Sequence, residues 1–181
     1  MTWIADVVHF WFDELAPSDW YSGASAVDEL IRARFAALHG TLKSGPPDAD
    51  SLDAEGYLAT ILVFDQFPRN LFRGRAEAFG ADALALDYAT RAHARGLDAA
   101  MPPARRHFLA MPFMHAEDMA SQDRSVALFT RLGDADLLGY ALAHRDLIVR
   151  FGRFPARNEA LGRVSTPDER DYLDELTQTP V

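Results

Sequence analysis

Cysteine is absent from the chain, so disulfides, thiolate metal centres and cysteine nucleophiles are excluded at once. Lysine is nearly absent: Lys43 is the single one, and every other basic chain is an arginine. An arginine- and alanine-rich code explains that choice, but not where the arginines cluster. No uncharged apolar stretch is long enough to cross a bilayer. The opening Met1-Thr-Trp-Ile-Ala-Asp6 has neither the basic region nor the apolar run of a secretion signal. These absences set the expectation of a soluble, cytoplasmic protein without membrane association. Strand-like alternation persists nowhere. Compact metal patterns such as H-x-x-x-H and the nucleophile elbow of hydrolases are missing too. No metal and no cofactor is therefore expected, and no familiar reaction is announced.

What remains is 181 residues, nearly half of them apolar, which suits a single domain over 1–181 with a sizeable core. A net charge of −9 argues against nucleic acid as a partner, since that needs clustered cationic surface. The charge is unevenly spread. Segment 65–75 sets Arg69, Arg73 and Arg75 against Asp65, and segment 145–163 sets five arginines against Asp146 and Glu159. Both stretches contain Phe-Pro followed by Arg and Asn: Phe67-Pro68-Arg69-Asn70, and Phe154-Pro155-Ala156-Arg157-Asn158.

Apolar residues recur at helical spacing, which predicts an all-α fold of about eight helices. The expected helices cover Ile4–Glu14, Ser25 to about Lys43, Leu52 to the Phe67-Pro68 corner, and Ala81–Arg95. Then follow a short one from Pro103 interrupted at Pro112, Ala116–Leu132, Asp134–Phe151, and a last one opened by Thr166-Pro167-Asp168-Glu169. Ser25 with Asp28 resembles a capping box. Proline at 68 predicts a helix end at Phe67.

Helical projection finds polar residues on apolar faces. Asp65 falls on the stripe of Leu58, Ile61 and Leu62; His144 falls among Leu137, Tyr140, Ala141, Ile148 and Phe151. His115, Asp118 and Gln122 share the side of Met119, Val126 and Phe129, while Glu117 points elsewhere. A buried carboxylate needs a partner, which predicts Arg69 or Arg157 beside Asp65. The two corners are accordingly expected to face one cavity.

Phe64 to Gly74, Pro112-Phe-Met-His-Ala-Glu117 and His144 to Arg163, with Phe10-Trp11-Phe12 and Gly162 to Thr166, resemble the blocks of a bacterial family catalogued as domain of unknown function 924. The resemblance spans nearly the whole chain. It implies an all-helical fold of antiparallel pairs similar to the tetratricopeptide-repeat superhelix, and no established activity. Ala116 and Ala156 stand where many relatives have Ser and His.

Three functions follow as expectations. One is a binding protein whose pocket, built from Asp65, Gln66, Arg69, Asn70, His115, Glu117, Asp118, His144, Arg153, Arg157 and Asn158, takes a small anion or an acidic peptide. Another is a hydrolase, either metal-assisted through His115, Glu117 or Asp118, and His144, or metal-free with His144 as base oriented by Asp65. In the last, the corners only cap and brace helices.

Overall fold

Capping side chains and two widened helical turns decide where each rod of this protein begins, bends and ends. The computed structural model describes residues 2–178, and among them the secondary structure is helical, without strands. Helix α1 (Trp3–His9) is capped by Thr2 and runs without a break into a π-turn, Phe10–Glu14. Helix α2 (Ser25–Ser44) starts on Ala24 without the predicted capping box, because the Asp28 carboxylate is taken by Asn70 and Arg73. A two-pronged charged bond outcompetes a single backbone cap.

Helix α3 (Ala54–Ile61), capped by Asp53, passes through a second π-turn, Leu62–Gln66, into α4 (Phe67–Leu71). The expected break at Phe67-Pro68 is therefore not there. Phe67 N–H reaches back five residues to Leu62 O, and Pro68 enters the first turn of α4, where a missing N–H costs least. Helix α5 covers Asp82–Ala94, and α6 (Pro103–His115) runs through Pro112 without the predicted interruption. Pro112 lies in the last turn, and the Gln122 amide caps the carbonyls of Met114 and Ala116 at 2.8 and 2.7 Å.

Helix α7 (Met119–Leu132) begins later than the expected Ala116, because Asp118 caps it through Ser121 N–H. His115 consequently belongs to α6 and does not share a helical face with Asp118 and Gln122. Asp134 caps α8 (Ala135–Phe151), which stops at Gly152, a residue in the left-handed region at φ 70°. Thr166 and Glu169 cap each other's backbone N–H groups at the start of α9 (Pro167–Gln178).

Counting α3, its π-turn and α4 as one, the described residues form eight rods, and α5 packs on α6, α6 on α7 and α7 on α8. The arrangement is consistent with a tetratricopeptide-like superhelix. The core is aromatic: Phe10, Trp11, Phe35, Phe64, Phe67 and Phe108 are almost wholly buried. Helix α6 is buried over most of its circumference, from His107 to Met114, so its last residue, His115, is delivered from a rigid element. Helix α8 lies against α7 at the edge, and its buried stripe shrinks to Ala141 and Ile148. Tyr140, expected inside, is 63% exposed. No helix of the described residues is long and apolar enough to cross a membrane.

Candidate functional site

The π-turn of the third rod turns Asp65 fully inward, where its carboxylate is 0% exposed. His115 Nδ1 lies 2.6 Å from Asp65 Oδ1, and Gln66 Nε2 lies 2.5 Å from Oδ2. Arg69 stands further off, with Nη2 3.7 Å from Oδ1, and Arg157 does not touch Asp65. Of the two predicted arginines, Arg69 is therefore an ion-pair partner of Asp65 and Arg157 is not, and the closest partner is an unpredicted histidine. Burial alone would raise the Asp65 carboxyl, but His115, Arg69 and Gln66 outweigh it and hold it below its ordinary value. Asp65 is therefore the acceptor and His115 Nδ1 the donor. This fixes the tautomer and leaves His115 Nε2 without a hydrogen-bond partner among the described residues.

The arginines are engaged elsewhere. Arg69 Nη2 and Arg157 Nη1 meet the two oxygens of Asp82 at 2.8 and 3.2 Å. Arg69 also donates to Ala78 O, and Arg157 to His115 O at 3.0 Å. Both guanidinium planes pack on Phe79, and Arg157 packs on Phe154 as well. Burial raises the Asp82 carboxyl and lowers Arg157, as desolvation of a paired charge does. The two Phe-Pro corners therefore meet at Asp82 as ion pairs, although Arg69 Nη2 and Asp82 Oδ1 lie within ion-pair distance without completing a hydrogen bond.

Beyond His115 opens a cavity of about 340 Å³, lined by Tyr21, His107, Met111, Met114, Leu137, Tyr140 and His144 as well as His115. The His115 and His144 rings are 6.3 Å apart. His144 Nδ1 donates to Tyr140 O at 2.8 Å, so Nε2 of the neutral ring is its free acceptor. Burial holds His144 below its ordinary value, and drives His107 down to about 4, so both are neutral at neutral pH. Tyr21 is 58% exposed overall, yet its hydroxyl lies 3.0 Å from His107 Nε2, and burial raises its pKa. An outer hollow of about 610 Å³, including Pro17 and Trp20, shares Tyr21, His107 and Leu137 with the cavity.

The remaining predicted residues lie apart from this cavity. Asn70 and Arg73 grip Asp28 on α2. Glu117 accepts from Phe154 N–H at 2.8 Å and from both Nη atoms of Arg163, which clamps the second corner. Asp118 is spent as a helix cap. Arg153 forms a two-pronged pair with Glu169, which Asn158 joins at 3.2 Å. Among the described residues no three His, Asp or Glu side chains converge as metal ligands. Sequence reasoning missed Asp82, which looks like an ordinary acid in a first helical turn, and also Tyr21, His107, Met111, Met114 and Tyr140 as cavity lining.

The profile of a family described as "Bacterial protein of unknown function (DUF924)" matches residues 7–177. The chain belongs to this family. A solved structure, that of a protein of unknown function from Agrobacterium tumefaciens, is similar to this DUF924 member at 42% identity. The two superpose with a TM-score of 0.89 over 95% of this chain and 97% of that one. Comparison with curated proteins gives no match.

Proposed function

We propose that this DUF924 member holds a small molecule in the cavity below His115 and His144, and that the Asp65–His115 pair acts on it as a general base. The 2.6 Å contact between a wholly buried carboxylate and a cavity-lining imidazole carries this reading. A carboxylate behind Nδ1 orients the ring and stabilises its protonated form when Nε2 takes a proton. His144, neutral and beside it, offers a second acceptor without adding charge. The enzymatic form is hydrolysis by water. Nε2 of His115 removes the proton as the water oxygen attacks a carbonyl carbon, and that proton then passes to the leaving group. His115, not His144, takes the base role, because Asp65 bonds His115.

Methionine, leucine and tyrosine walls favour a ligand with an apolar body and one hydrogen-bonding head. A strongly anionic head or an acidic peptide fits less well, since the corner guanidiniums are already paired. On this reading Asn70, Glu117, Asp118, Arg153 and Asn158 serve the fold. A panel of small esters and lactones, followed by melting temperature and by hydrolysis, tests it. Hits are expected to stabilise the wild type but not Leu137→Trp, whose larger side chain fills the cavity. Turnover is expected to vanish in His115→Gln while binding persists. Hits that stabilise both proteins equally would remove the cavity from the reading.

A further inference from the structure

A second hollow, of about 170 Å³, lies between α5, α6 and α7 and shares no lining residue with the histidine cavity. Its ionisable walls are His93, Asp98, Arg106 and Arg131, set among Ala110, Leu128, Phe129 and Leu132. His93 is the anomaly. Its side chain is only 4% exposed, and neither ring nitrogen completes a hydrogen bond. The other inward-facing histidines all have a partner: His39 at Val63 O, His107 at Tyr21, His115 at Asp65 and His144 at Tyr140. Leaving a buried polar group unpaired costs about 1–3 kcal/mol. Arg106 Nε is likewise buried and unpartnered. Arg34, Arg73, Arg153 and Arg163 each grip a carboxylate, whereas Arg106 and Arg131 meet none among the described residues.

We propose that this hollow binds one small oxyanion of the phosphate or carboxylate class. Two arginines against the single Asp98 leave the lining positive, in a chain whose net charge is −9. The two guanidinium groups repel a cation, and an apolar floor strengthens a charge-assisted bond by excluding water. Asp98 Oδ2 stands 3.4 Å from His93 Nδ1. A ring protonated at both nitrogens donates to Asp98 on one side and to the oxyanion on the other, with Arg106 and Arg131 completing the donor set. Burial is the largest influence on His93 and holds it below its ordinary value; Asp98 favours its charge, and Arg124 and Arg131 oppose it. An anion among the arginines removes that opposition.

The test is a titration of the intact protein with sodium phosphate, and separately with acetate, at constant ionic strength set by chloride. Imidazole resonances of His93 are followed by NMR, with exposed His9 as the reference. His93 is expected to shift saturably with one of the two anions while His9 does not, and which anion does so identifies the class. Arg131→Gln, at an exposed position, is expected to weaken binding about tenfold, and Arg106→Gln with Arg131→Gln about a hundredfold. The proposal falls if His93 moves no more than His9 in both titrations, or if Arg131→Gln binds as the wild type does.

Discussion

The two Phe-Pro corners solve the same bracing problem with the same parts and differ in what they do with the turn before the proline. In each, an asparagine amide and an arginine fork close on one carboxylate: Asn70 and Arg73 on Asp28, Asn158 and Arg153 on Glu169. In each, another arginine reaches Asp82. Before Pro68, however, the chain stays helical by widening into a π-turn, and Asp65 is rotated into the interior. At the corresponding position before Pro155 stands Gly152, which ends α8 outright. Both corners carry a buried acid, but Asp65 of the first meets a cavity-lining imidazole, His115, whereas Glu169 of the second closes on Arg153 and Asn158. Duplicated bracing does not imply duplicated chemistry.

Breaking the first corner should cost most. Asp65→Ala strips the partner from His115 and from Gln66 and is expected to lower unfolding free energy by about 3–5 kcal/mol, read by urea denaturation. Asp82→Asn removes the charge both corners share. A loss of about 2 kcal/mol is expected, with faster amide exchange at both corners rather than one. Exchange confined to a single corner would show that they are braced independently.

Glu169 sharpens the second corner through pH. The fork from Arg153 holds its carboxyl at about 2, against roughly 4.3 in an unfolded chain. Its stabilisation is therefore complete above the unfolded value and drains away as pH falls toward 2. Melting curves at neutral pH and at about pH 3 should show Glu169→Gln losing less on acidification than the wild type. Equal losses would place the acid sensitivity elsewhere.

The helical architecture was legible because its punctuation is local: Asp134 before α8, Gly133 after α7, and Pro167 with Asp168 and Glu169 in the first turn of α9. Asp65 was legible as buried because one helical period places it on an apolar stripe. Its closest partner was not, since His115 comes from 50 residues away and from a helix that Pro112 seemed to break. Periodicity at one hundred degrees per residue cannot register a π-turn, which is why the Phe67-Pro68 corner looked like a stop. Clustered arginine was correctly located but suggested an open anion site, because the acid that neutralises it, Asp82, lies in neither cluster.

Trp20 adds a practical dividend. Its indole N–H is tethered to Trp11 O at 2.9 Å, its ring meets Phe108 edge-on at 5.0 Å, and it borders the outer hollow that leads to Tyr21. A guest settling there would displace water from a chromophore that cannot swing aside. The molecule thus carries its own optical gauge: emission colour and quenching by iodide should register occupancy without label, dye or knowledge of the reaction.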